Sequence, residues 1–210
     1  SMPIPRQRER VLPRLIEVES KEPPRTVAVE VGSALRKLPA IGLGSPSHSY
    51  LLHEFQVKRL RALKLAHCRL DLSIRNPTWR GILWFQKSNA LDLDARLELA
   101  LHFPNVSPVA MKEVSRALAK ASFDIARVVV FQDGVKSTPQ RLLTLARKHL
   151  ELALPGIPIG AGTNADLYQL NLQRPPADGA DFICWSMNPQ VHAFDNVSIA
   201  ETPEAAACQV

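Results

Sequence analysis

Cysteine is scarce in this sequence. Cys68, Cys184 and Cys208 stand far apart, and no Cys-x-x-Cys pair occurs. That spacing argues against a thiolate zinc site. It fits a reducing compartment, the cytoplasm, with Cys68 and Cys184 in apolar, strand-like runs where a free thiol behaves as a small core group. Long hydrophobic runs are missing as well. None approaches the ~20 residues that a bilayer-crossing helix needs, and the opening residues lack the apolar stretch of a signal peptide. No Gly-x-Ser-x-Gly elbow is present, so a serine-hydrolase mechanism lacks its signature. Nor is there a His-Glu-x-x-His pair for a zinc peptidase. Ile41-Gly-Leu-Gly-Ser-Pro46 lacks the third glycine of a dinucleotide loop and puts proline where the helix would open.

Positive charge is nearly absent from the C-terminal end. Residues 151–210 hold Arg174 alone against seven acids, whereas residues 1–150 hold 25 Lys and Arg against 13 Asp and Glu. The basic excess is scattered along amphipathic segments such as Arg59-Leu-Arg-Ala-Leu-Lys64 and is not gathered with aromatics. A nucleic-acid partner is therefore not expected, and neither is a membrane. The acidic end points instead to a carboxylate-lined site or to an interface.

What is present is a repeating order. Residues 1–37, with Pro3, Pro5, Pro13, Pro23 and Pro24, read as a linker and the tail of a preceding element, because proline at that density prevents long regular structure. Thr26-Val-Ala-Val-Glu-Val31 reads as a strand inside it. From 38 to 210 short apolar runs recur near residues 41, 67, 97, 126, 157 and 182, at intervals of 25 to 31 residues. Helix-period segments lie between them, as in 54–63 and 140–150. Strand and helix at this spacing form βαβ units, whose right-handed crossovers wind one way round. Polar residues follow the strands: Ser45, Asp71, His102, Gln132-Asp133, Thr163-Asn164 and Asn188-Pro-Gln190. This is the pattern of a (β/α)8 TIM-barrel-like fold, in which strand ends carry the chemistry. About six βα units are counted, so the barrel is read as truncated at its C-terminus, and its unpaired sheet edges invite a homodimer.

Two stretches carry candidate chemistry. In Gly160-Ala-Gly-Thr-Asn-Ala-Asp166 the side chains of Thr163, Asn164 and Asp166 are placed to orient ligand hydroxyls; Thr163 or Asn164 also suits the N-cap of a helix from 165. Asn188-Pro-Gln-Val-His-Ala-Phe-Asp195 packs amides, an imidazole and a carboxylate into eight residues. Opening an ester or lactone needs a base near neutral pH, which His192 supplies, with Asp195 to fix its tautomer and Asn188 or Gln190 to donate to the oxyanion. A hydrogen-bonded loop accounts for the same residues without catalysis. His102, His192 and Asp71 have no metal-ligand spacing. Trp84 and Trp185 lie at apolar positions that suit core packing better than sugar stacking.

The run Gly162-Thr-Asn-Ala-Asp-Leu-Tyr-Gln-Leu-Asn-Leu-Gln-Arg-Pro175, with Asn188-Pro-Gln-Val-His-Ala-Phe-Asp-Asn196 and Glu201-Thr202, resembles the barrel domain of the D-apionate lactonase family. Leu38-Pro-Ala-Ile-Gly-Leu-Gly44 and Leu63-Lys-Leu-Ala-His-Cys-Arg-Leu-Asp-Leu72 look similar to its first two strands. The resemblance implies hydrolysis of D-apionolactone to D-apionate in apiose catabolism, with a small sugar lactone as partner. The matching motifs place His192, Asp195 and Glu201 as catalytic candidates. They place Thr163, Asn164, Asp166, Asn171, Arg174, Asn188 and Gln190 as substrate-binding ones. Neither a cofactor nor a metal is expected. The competing expectations are a glycoside hydrolase-like barrel that cleaves or binds a glycan, and a non-catalytic barrel fragment.

Overall fold

The computed structural model describes residues 39–45, 51–120, 122–188 and 194–205. The expected strand at 26–31 lies outside them, as do Gln190, His192 and Cys208. Among the described residues six strands alternate with six helices: β1 (Gly42–Gly44), α1 (Glu54–Arg61), β2 (His67–Ser73), α2 (Trp79–Asp92), β3 (Arg96–Phe103), α3 (Pro108–Lys120), β4 (Ile125–Gln132), α4 (Gln140–Ala153), β5 (Ile159–Gly162), α5 (Leu167–Leu172), β6 (Ile183–Cys184) and α6 (Asn196–Ala205). The strands form one sheet in chain order, every neighbouring pair parallel. Unbroken sequential order with a helix in each crossover is TIM-barrel topology, as expected from the repeat.

The core lies between sheet and helices. Cys68, Leu70 and Leu72 of β2, Leu97, Leu99, Leu101 and Phe103 of β3, and Val128 and Val130 of β4 are buried in one cluster. Helix-spaced residues meet them: Leu83 and Ala90 from α2, Met111, Val114 and Leu118 from α3, and Leu142, Ala146 and Leu150 from α4. Side chains on a strand alternate between faces, so the residues between these leucines point to the other side. That second face, the concave or lumen face, holds only a small apolar cluster of Ala100, Val129 and Phe131 with Phe182 and Cys184 packed on it. On β2, β3 and β4 it also carries His67, Arg69, Asp71, Glu98, His102 and Arg127.

One irregularity sets what β4 presents to the lumen. Leu97 pairs with Ile125 but Glu98 pairs with Arg127, leaving Ala126 as an extra residue on β4. An inserted residue reverses the facing of everything after it. Ile125 joins the helix-side core, and Arg127 two positions on bonds Glu98 in the lumen.

Glycine makes room at the far side of the sheet. A Cβ on Gly162 would lie 2.1 Å from the Cys184 carbonyl oxygen, so β5 and β6 approach as only glycine permits. Thr138, buried in the β4–α4 loop, fastens the same point: its Oγ1 donates to the Val130 carbonyl at 2.6 Å and accepts from the Gly162 N–H at 3.0 Å. Trp84 departs from expectation. It is 58% exposed on α2, with the Lys87 ammonium 5.0 Å above its ring, because the helix turns Leu83 inward instead.

Candidate functional site at the carboxyl ends of the strands

Alternation along β2 and β3 sends His67, Arg69, Asp71, Glu98 and His102 to the lumen. Spaced two residues apart on one face of the sheet, they are satisfied by one another, both along β2 and across strands. Arg69 grips Asp71 with two parallel hydrogen bonds, Nε and Nη2 each 3.0 Å from a carboxylate oxygen. A planar guanidinium fits a carboxylate in this way and fixes its plane. The other arm of Arg69 reaches Glu98 Oε1 at 3.4 Å, and Nη2 also donates to Asn164 Oδ1 at 3.2 Å. Nearer the amino ends of the strands, Arg127 Nε donates to Glu98 Oε2 at 2.6 Å, and His67 Nε2 lies 3.2 Å from the same oxygen.

At the carboxyl ends, His102 Nε2 lies 3.1 Å from Asp71 Oδ1. Its ring rests on Phe131 with centroids 5.0 Å apart. Among the described residues Nδ1 of His102 has no hydrogen-bond partner. The result is one continuous polar network from His67 through Glu98, Arg69 and Asp71 to His102.

The electrostatics follow from these contacts. Burial alone would raise the Asp71 pKa, but the hydrogen bonds and charges of His102 and Arg69 outweigh it and hold the carboxyl well below the usual range. Asp71 is thus a fixed anion. Burial lowers the pKa of His67, Glu98 raises it, and the Arg127 and Arg69 charges lower it again. Burial and the two guanidinium charges thus favour the neutral form of His67, whose Nε2 lies 3.4 Å from Arg127 Nη2 as well as beside Glu98. Burial pushes the Cys184 thiol up to about 11, so it is no nucleophile at neutral pH. Among the described residues no three His, Cys, Asp or Glu side chains are grouped to hold a metal ion.

Beside this network lies a cleft of about 440 Å³ lined by Asp166, Tyr168, Ser186, Met187, Asn188 and Thr202, among others. It draws together the β5–α5 loop, the segment after β6, and α6. Asn164 joins cleft and network: its Oδ1 accepts from Arg69, and its carbonyl accepts from Ser186 Oγ at 3.2 Å.

The residues singled out in the sequence divide into three groups. Asp166 and Asn188 meet in the cleft, and Asn164 stands at its edge. Thr163 is 1% exposed and serves the loop, its Oγ1 accepting from the Ala165 N–H at 3.0 Å. Helix α5 starts at Leu167 and not at 165, with Asp166 as its cap, accepting from the Gln169 N–H at 3.0 Å. Asp195 has the same local duty at α6, accepting from the Ser198 N–H at 2.9 Å, which holds its carboxyl below the usual range. Asn171, Arg174 and Glu201 are exposed. Gln190 and His192 fall outside the described residues.

The motifs of the sequence do not point to Arg69, Glu98, Arg127 or His67, and they mark Asp71 and His102 only as polar strand ends without metal-ligand spacing. A signal for them existed. Strands covered on both faces usually read as continuous apolar runs, whereas His67-Cys-Arg-Leu-Asp-Leu72 and Arg96-Leu-Glu-Leu-Ala-Leu-His102 alternate charge with leucine.

A parallel β/α sheet whose polar groups gather at the carboxyl ends of its strands defines a TIM-barrel domain, a class whose active sites lie at that end. Residues 41–210 match the family model described as D-apionate lactonase, TIM barrel domain, and the chain belongs to that family. No curated protein and no solved structure matches the chain.

Proposed function

We propose that this domain is a hydrolase that opens a small sugar-acid lactone, D-apionolactone to D-apionate, within carbohydrate catabolism. The observation that carries the reading is the cleft at the carboxyl ends of β5 and β6, where Asp166, Ser186 and Asn188 offer hydrogen bonds to a polyhydroxylated ring. The family description names the same activity. Lactone opening needs a base for water and donors for the oxyanion. Two histidines suit the base: His192 of the Asn-Pro-Gln-Val-His-Ala motif, with Asp195, and His102, with Asp71. Glu201, Thr163, Asn164, Asn171, Arg174 and Gln190 complete the set proposed to serve catalysis or binding, and the location proposed is cytoplasmic.

The competing glycosidase reading needs a protonated carboxyl facing a second carboxylate. Asp71 is fixed as an anion by Arg69 and His102, Asp133 pairs with Arg75 at 3.4 Å, and Asp166 and Asp195 cap helices. That distribution favours the lactone.

The test is proton release from a panel of aldonolactones that includes D-apionolactone, with spontaneous hydrolysis subtracted. Turnover of D-apionolactone above the other lactones is the expected result. No lactone turnover from the folded chain would defeat the reading.

A further inference from the structure

We infer that His102, oriented by Asp71, is the base that activates water in this site, and that Arg69 is the positioning residue which holds Asp71 in place. The inference rests on the lactonase reading and assigns the base that it leaves between two histidines.

The geometry is that of an oriented base. A histidine acts as a base when one ring nitrogen is anchored by an acceptor and the other faces the substrate. Here Asp71 Oδ1 lies 3.1 Å from Nε2, which places the proton there and leaves the Nδ1 lone pair for water. Phe131 walls one side of the ring and limits its rotation. The side chain is 19% exposed, open enough for water and sheltered enough to keep its orientation. Asp71 is itself prevented from swinging by the two-pronged grip of Arg69. Arg69 in turn is tied to Glu98 from below and to Asn164 from the side. Asn164 immediately precedes the cleft-lining Ala165 and Asp166, accepts from Arg69 and is bonded by Ser186, so one loop links the cleft to the network that holds the dyad.

The chemistry balances without a cofactor. Water oxygen attacks the lactone carbonyl carbon while its proton passes to His102 Nδ1. Collapse of the tetrahedral intermediate breaks the bond from the carbonyl carbon to the ring oxygen, and that oxygen takes the proton back from Nδ1. The product is a hydroxy acid, which releases one proton to solvent at neutral pH.

The experiment compares the chain with His102→Ala, His102→Gln, Asp71→Asn and His192→Ala, using D-apionolactone and, as a second probe, p-nitrophenyl acetate. Thermal melts identify variants that fold, and His102→Gln retains a side-chain donor for Asp71 if His102→Ala does not fold. Loss of the base is expected to lower kcat about 10²- to 10⁴-fold. Added imidazole should restore part of the rate in His102→Ala, which a purely structural histidine would not allow. Asp71→Asn should lower kcat about 10²-fold while KM stays within about twofold, as loss of orientation alone predicts.

Full lactone turnover in folded His102 variants, with loss in His192→Ala, would overturn the assignment and leave the lactonase standing. Ester hydrolysis that vanishes with His102, without any lactone turnover, would support the dyad and defeat the lactone. Absence of both activities in the unaltered chain would overturn both.

Discussion

The two ends of the sheet differ in how their polar residues are satisfied. In β2, β3 and β4, strands of seven or eight residues carry Arg69, Asp71, Glu98, His102 and Arg127 into the lumen, and these side chains answer one another on that face, Arg69 and Asp71 along β2 and the rest across strands. In β5 and β6 the strands have four and two residues, and α5, with six residues, buries none. There the polar side chains turn to their own loops: Thr163 to Ala165, Asp166 to Gln169, Asp195 to Ser198. A polar residue beside a helix start has a backbone partner at hand. A polar residue between two leucines on a strand has none, and its partners are side chains on the same face of the sheet, two residues along for Asp71 and on other strands for Glu98 and His102. The region richer in motif is therefore the one whose side chains are locally engaged, and the plainer region supplies the network.

The contrast can be broken by removing buried bulk at each end. Leu99→Ala, in a fully buried position on β3, is expected to cost about 3 kcal/mol. Leu172→Ala on exposed α5 should change stability by less than about 0.5 kcal/mol. Urea unfolding of both variants checks the pair, and equal losses would mean that the two ends are equally packed.

A smaller effect tests the lumen itself. The Glu98 side chain is 10% exposed and meets Arg69, Arg127 and His67. Glu98→Gln leaves Arg127 without its counter-charge and Arg69 with Asp71 alone, expected to cost about 2 kcal/mol. That is less than for a fully buried pair, because both arginines reach solvent. Unchanged stability in the same urea assay would mean that water already screens the network.

A smaller loss is expected at the caps. Asp166→Ala removes one helix-end acceptor, worth about 1 kcal/mol. If its effect on lactone KM exceeds what that loss of stability explains, Asp166 contacts the substrate as well as its helix.

The sheet was legible in the sequence because strand spacing is a long-range regularity that no single side chain disturbs. Each strand starts within two residues of the apolar run expected near 41, 67, 97, 126, 157 or 182, and β6 is the shortest, with only Ile183 and Cys184. The roles of Asp166 and Asp195 were harder to read, since a carboxylate before a helix suits a cap and a ligand equally. The network escaped because its members lie far apart in the chain, Arg69 to Asn164 being 95 residues. Their meeting depends on register, which spacing alone does not give. The side of α2 that carries Trp84 is hard to read because apolar and polar residues mix around the helix: Gln86 and Asn89 are buried while Trp84 and Phe85 are exposed.

The extra residue at Ala126 gives β4 a property that no side chain encodes. It acts as a phase shift: positions before it count odd as outward, positions after it count even as outward. The lumen charge that Arg127 supplies is therefore set by chain length at one point of the strand. A graft or library that varies the interior of this sheet has to number β4 from Arg127 onward, because counting from Ile125 would exchange the lining of the lumen for the packing of the helices.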